Sequence, residues 1–186
     1  LASLLWILLS LGQTVSAQSN PKLDPLIQNV YGRKTISLNG NWSYLLDQLE
    51  VGYYNYRRTP DPNGFFKDPA VDNVTAYKEY DFDSAPVMAI PGDWNTWEDR
   101  FFFYEGTMWF KHKFLYKKTD HRVYLYLGAV NYDAKVYLNG TKVGEHIGGY
   151  TPFNMEVTNQ IKNGENFVVV KVDNKRTAEG VPTLNC

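Results

Sequence analysis

Residues 134–145 read Ala134-Lys135-Val136-Tyr137-Leu138-Asn139-Gly140-Thr141-Lys142-Val143-Gly144-Glu145, and this stretch decides the fold class. Ala134, Val136 and Leu138 alternate with Lys135 and Tyr137, the period of a strand with one face buried. Asn139-Gly140 follows, the dipeptide most favoured in a two-residue hairpin turn. Thr141 to Glu145 is then the returning strand. The same alternation recurs on both sides. In Met108–Phe114, Met108, Phe110, His112 and Phe114 face one way, while Trp109, Lys111 and Lys113 face the other. Val123, Leu125 and Leu127 share an inward face, Phe153–Val157 alternates again, and Asn163-Gly164 turns the chain into Phe167–Val172. Outside the first residues no stretch sustains a 3.6-residue period over three turns. Many short strands separated by turn residues predict an all-β fold, an antiparallel β-sandwich of jelly-roll kind.

Composition narrows the function classes. The chain has 186 residues, with 19 Lys and Arg against 20 Asp and Glu, so it lacks the basic footprint of a nucleic-acid binder or a polybasic membrane-surface protein. A hydrophobic fraction of 44% is enough for a real core and argues against disorder. Cys186 is the one cysteine, which excludes an internal disulfide and a thiolate metal cluster. His112, His121 and His146 lack the paired spacing of metal ligands, so no metal is expected. His112, on the inward face of a strand, reads as a core or sub-surface histidine with its polar atoms satisfied. Nucleophile elbow, phosphate loop and dinucleotide fingerprint are all missing, and no cofactor is expected.

The first 17 residues, LASLLWILLSLGQTVSA, carry no charge. An apolar run from Leu4 to Leu11 ends in Val15-Ser16-Ala17, with small residues where signal peptidase accepts them. The run is short of the roughly 20 residues that span a bilayer. Residues 1–17 therefore read as a signal peptide and residues 18–35 as a linker, with an N-terminus truncated before Leu1. Export without disulfides points to a bacterial periplasm or cell surface, and the sequons at Asn41, Asn73 and Asn139 read as coincidental. Residues 52–85 interrupt the strand pattern with Tyr, Pro, Asp and Asn. A connection of that length is usually functional or disordered, and its aromatics favour an ordered surface insertion.

Direct chemical signals are sparse. Asp93, Glu98, Asp99 and Glu105 lie close in sequence, and glycoside hydrolysis needs a carboxylate pair, but acidic residues clustered in a loop read first as a solvated surface. Trp94, Trp97, Tyr104 and Trp109 are more suggestive, because aromatic faces stack on the C–H faces of sugar rings. Trp109, on a strand, reads as core.

A series of motifs, in order, resembles glycoside hydrolase family 2, the β-galactosidase, β-glucuronidase and β-mannosidase group. Leu38-Asn39-Gly40-Asn41-Trp42 is similar to its opening L-[DN]-G-x-W strand, and Ile90-Pro91-Gly92-Asp93-Trp94-Asn95 to its V-P-G-x-[WF]-[NQ] turn. Tyr104-Glu105-Gly106-Thr107-Met108-Trp109-Phe110 resembles the Y-x-G-x-x-W-Y strand entry. Gly128-Ala129-Val130 leading to Val136-Tyr137-Leu138-Asn139-Gly140 resembles the core hairpin. Gly148-Gly149-Tyr150-Thr151-Pro152-Phe153 is the most recognisable run, followed by Val157-Thr158 and Val170-Lys171-Val172-Asp173-Asn174. The resemblance covers residues 36–186 apart from the 52–85 insertion.

It implies an N-terminal sugar-binding jelly roll followed by an immunoglobulin-like domain and a TIM barrel. In that family the barrel carries two glutamates and hydrolysis retains configuration, so no catalytic residue is expected within this chain. The family's substrate-reaching Asp run and the closing strand are expected just beyond Leu184-Asn185-Cys186. On this reading the 186 residues are an inactive fragment of a secreted exo-β-glycosidase whose family members commonly associate. The partner is a β-linked oligosaccharide or glycoside, met through the barrel. By position in the motif frame, the resemblance places Phe103, Tyr104 and Glu105 near the rim of the barrel's pocket, with Trp94 and Asn95 as neighbours. The alternatives are a free-standing carbohydrate-binding module and a β-sandwich scaffold without sugar affinity.

Overall fold

The computed structural model describes residues 25–61 and 81–176. The leader, the first part of the linker, the middle of the 52–85 insertion with Asn73, and Leu184-Asn185-Cys186 lie outside the described residues. Eight strands follow in chain order: β1 (Gly40–Asp47), β2 (Val87–Ile90), β3 (Thr107–Tyr116), β4 (Tyr124–Leu127), β5 (Asp133–Leu138), β6 (Thr141–Ile147), β7 (Phe153–Glu156) and β8 (Gly164–Asp173). Six of them form one sheet in the order β2-β1-β3-β8-β5-β6, and β4 pairs with β7 in a second. Every pairing is antiparallel. The chain is all-β and antiparallel, as the alternation predicts, and the only helical pieces among the described residues are short 3₁₀ turns.

The period-two pattern explains which face is buried. Tyr44 lies opposite Phe110, Phe110 opposite Val170, and Val170 opposite Val136, so one apolar row crosses four strands. Met108, Val172 and Ala134 make the neighbouring row. These side chains join Phe153 and Met155 of β7 in the main core, with Val123, Leu125 and Leu127 packed against it. Burying each large aliphatic side chain stabilises by roughly 1.5–3 kcal/mol. His112 stacks on Trp42 at 5.1 Å, and its Nδ1 lies 3.2 Å from the Asn41 carbonyl. The β5–β6 hairpin turns at Asn139 and Gly140 with φ of 52° and 82°, the left-handed region that these two residues tolerate best. The Asn139 amide donates to the Gln160 carbonyl and to Asn166 Oδ1, both at 2.8 Å, so this sequon nitrogen is engaged inside the fold.

The opposite face of the six-stranded sheet is also covered. Residues 48–61, a flap leaving β1, fold back over it. Asp47 accepts hydrogen bonds from the backbone of Val51 and Gly52, each at 3.0 Å, and from Trp109 Nε1 at 2.8 Å. A Cβ at Gly52 would meet Trp109 Nε1 at 2.8 Å and Asp47 Oδ2 at 2.9 Å, so only glycine fits beneath the flap. Tyr53 and Phe82 then bury Trp109, Tyr137 and Val169 in a second cluster. The described ends of the insertion are thus an ordered cover.

An ionic network locks the flap. Lys171, 3% exposed, places Nζ 3.3 Å from Glu50 Oε1, and Lys175 lies 3.3 Å from Glu50 Oε2. Thr107 Oγ1 bridges Glu50 at 3.3 Å and Asp173 at 3.1 Å. Burial pushes the Glu50 carboxyl up, but the two lysines outweigh it and hold it down at about 2.

Candidate functional site

The five residues singled out in the sequence sit on the connection between β2 and β3, and the structure gives them two different environments. Trp94 is 7% exposed and stacks on Phe110 with ring centroids 6.0 Å apart. Its Nε1 is buried without a hydrogen-bond partner among the described residues. Asn95 follows within the 3₁₀ turn Trp94–Thr96, which Asp93 caps by accepting the Asn95 backbone N–H at 2.9 Å. The Asn95 side chain reaches across the connection. Its Nδ2 donates to the carbonyls of Phe101 at 2.6 Å and Tyr104 at 3.1 Å.

Tyr104 is half-buried, tilted against Trp94 at 6.3 Å, and its hydroxyl donates to the Thr107 carbonyl at 2.8 Å. Burial, reinforced by Asp47, Asp173 and Glu50, raises its hydroxyl well above the usual range, so it acts as a neutral donor. A Cβ at Gly106 would fall 2.6 Å from that hydroxyl, which explains the glycine beside it. Asn174, just beyond β8, closes the loop from the other side. Its Oδ1 accepts the Gly106 N–H at 2.8 Å and its Nδ2 donates to the Tyr104 carbonyl at 3.4 Å. The Tyr104 carbonyl therefore accepts from two asparagines, Asn95 and Asn174.

What this clamp leaves outside is aromatic. Phe103 is 89% exposed, and Phe102, also exposed, meets it edge to face at 4.7 Å. Trp97 is the third exposed ring on the same connection. Glu105 pairs with Arg176, and that hydrogen bond keeps its carboxyl below the ordinary glutamate range. Nearby, Arg100 pairs with Glu98 at 2.7 Å and donates to the Tyr44 hydroxyl at 2.7 Å. The connection thus presents two phenyl rings, an indole and an ionised carboxylate on a backbone fixed at both ends. Such a surface suits stacking and hydroxyl recognition. Its carboxylates Glu98 and Glu105 are both tied to arginines.

Residues 35–181 match the family described as "Glycosyl hydrolases family 2, sugar binding domain". The chain belongs to that family. It is 31% identical over 156 residues to a beta-galactosidase of Thermoanaerobacter pseudethanolicus, covering 77% of this chain and 17% of that protein. Among solved structures, a beta-glucuronidase from an uncultured Clostridium is 28% identical with a TM-score of 0.58, covering 78% of this chain and 23% of the other. The beta-glucuronidase of Bifidobacterium dentium complexed with coumarin-3-O-glucuronide is 26% identical with a TM-score of 0.59, over 78% of this chain and 21% of its own. The chain spans less than a quarter of the length of these relatives.

Within this sugar-binding fold, the five residues separate by position. Trp94, Asn95 and Tyr104 build the loop, while Phe103 and Glu105 stand at its surface. Phe102 and Asn174 were not among the candidate site residues, although Asn174 ends the family-like run Val170–Asn174. Phe102 sits in a run of three phenylalanines that gives no hint of which ring points outward. Asn174 meets Gly106 across 68 residues, a contact created only by the β3–β8 pairing. Among the described residues no group of three or more His, Cys, Asp or Glu is placed to hold a metal ion, and no helix is long and apolar enough to cross a membrane.

Proposed function

We propose that this chain is the sugar-binding domain of an exported glycosidase acting on β-galactosides or β-glucuronides with retention of configuration. The observation that carries the reading is the family match over residues 35–181, on a sandwich whose β2–β3 connection displays Phe103 and Glu105. Retaining hydrolysis needs one protonated and one ionised carboxyl about 5 Å apart on either side of the glycosidic bond. Glu98 and Glu105 are each tied to an arginine, and the resemblance to glycoside hydrolase family 2 assigns the two carboxylates to a catalytic barrel outside these residues. The part played by this domain is contact. Phe103, with Phe102 and Trp97, offers stacking faces to the sugar or its aglycone, and Glu105 accepts from a hydroxyl. Trp94, Asn95 and Tyr104 hold the loop in place. The uncharged segment at residues 1–17 supports export.

The test is an assay of the purified chain with 4-nitrophenyl β-D-glucuronide and β-D-galactoside. No release of nitrophenol is expected. Turnover by these residues alone would overturn the division of labour between this domain and the barrel.

A further inference from the structure

The flap over the outer face of the six-stranded sheet carries a tip that the β2–β3 connection does not involve. Asn55 organises it. Its Oδ1 accepts the backbone N–H groups of Arg57 and Thr59, both at 2.9 Å, while its own N–H donates to the Thr59 carbonyl at 3.0 Å. The Arg58 N–H returns to the Asn55 carbonyl at 2.8 Å, and Tyr54 bridges to Pro60 below the turn. The base is anchored by Tyr53 in the second core cluster and by Glu50 in the lysine network. Arg58 belongs to the anchor: its guanidinium donates to the Leu49 carbonyl at 3.0 Å, pairs with Glu50 at 3.3 Å, and lies over the Tyr54 ring.

Tyr56 and Arg57 are different. Tyr56 is 86% exposed at the top of the turn. The Arg57 guanidinium lies 5.2 Å from the centre of the Tyr56 ring and has no ion-pair partner among the described residues. An anchored turn thus presents one aromatic face beside one uncommitted guanidinium. Aromatic rings are large contact surfaces that lose little entropy on binding. A guanidinium recognises planar oxyanions through paired hydrogen bonds, and its position against the ring pre-orients it. The combination fits a sugar ring that carries an oxyanion substituent.

We infer that Tyr56 and Arg57 form a second carbohydrate site, separate from the Phe103 loop, that takes an anionic glycan bearing carboxylate or sulfate groups. The choice of a glycan rests on the proposed function, whereas the anionic character rests on Arg57 itself. A nucleic acid is the less favoured occupant, because the chain carries a net charge of −1 and the tip offers one uncommitted cation.

The test is affinity electrophoresis of the 186-residue chain in gels containing polyglucuronate, dextran sulfate or neutral dextran, with a single-stranded oligonucleotide as a separate arm. The wild type is expected to be retarded by an anionic glycan and not by neutral dextran; polyglucuronate alone assigns the carboxylate, and dextran sulfate alone assigns the sulfate. Tyr56→Ala and Arg57→Ala should each weaken that retardation about tenfold, and Arg57→Lys less. Tyr31→Ala, which removes an exposed ring outside the flap and outside the β2–β3 connection, should leave it unchanged. The inference is overturned if no anionic glycan retards the wild type, if both tip variants bind like the wild type, if Phe103→Ala alone abolishes binding, or if the oligonucleotide binds as tightly as the glycans. Glycosidase activity is read in neither arm, so a failure of the glycosidase reading leaves this outcome separately measurable.

Discussion

On the inner face of the six-stranded sheet the row Tyr44, Phe110, Val170, Val136 is apolar from strand to strand. One residue further along the same strands, the outer row Leu45, Trp109, Lys171, Lys135 places two ammonium groups beneath Tyr53. Both faces are covered, but by different physics. The inner face gains from removing apolar surface from water, which is indifferent to pH. The outer face takes charges out of water and depends on each finding its partner, so losing one partner leaves the other uncompensated. The inner face holds the sandwich together, and the outer face holds the flap in register on it.

That contrast can be broken at either side. Phe110→Ala empties the inner row under Trp94 and should cost about 3–5 kcal/mol in denaturant unfolding; a loss under about 1 kcal/mol would mean the row is not tightly packed. Glu50→Gln should cost about 3 kcal/mol, because it leaves buried Lys171 with the more distant Asp173 carboxylate at 4.0 Å, and Glu50→Leu combined with Lys171→Met should recover much of it. A double variant no more stable than the single one would show that the network contributes more than charge compensation.

The pH dependence sharpens the same point. The folded Glu50 carboxyl lies at about 2, against 4.5 for an ordinary glutamate. Its contribution is therefore complete above pH 4.5 and is lost as pH falls towards 2. Glu50→Gln should flatten the acid limb of the stability profile, and an unchanged limb would refute the assignment. Asn95→Ala removes two donors to the β2–β3 connection and should cost about 1–2 kcal/mol. The accompanying signature is faster hydrogen exchange at Tyr104 and Gly106, whose N–H groups are hydrogen-bonded in this loop, with the β5–β6 hairpin unaffected. Phe103→Ala, at the exposed end of the scale, should change stability by less than about 0.5 kcal/mol.

The sequence carried the inner face almost completely. Alternation in Met108–Phe114 and Ala134–Leu138, with Asn139-Gly140 between strands, is a local signal, and local signals survive into the fold. Trp109 was legible as core, but the reason for its burial was not. Its cover, Tyr53, comes from a segment with no strand period, and Gly52 is required there only because Asp47 and the Trp109 indole converge on it. The candidate site divides the same way. The run from Tyr104 to Phe110 marked the entry to β3, while the asparagine clamp depends on Asn174 arriving at the end of β8. Which of Trp94, Phe102, Phe103 and Tyr104 faces outward is settled by 3₁₀ turns and carbonyl contacts that leave no periodic trace.

The most direct test of the central claim is to express the whole product of the gene that encodes this chain and follow the anomer released from a β-glucuronide and a β-galactoside by proton NMR. The account predicts hydrolysis of at least one of them with initial release of the β-anomer, and a higher KM with little change in kcat for Phe103→Ala. Initial release of the α-anomer, or no hydrolysis of either glycoside, would contradict it.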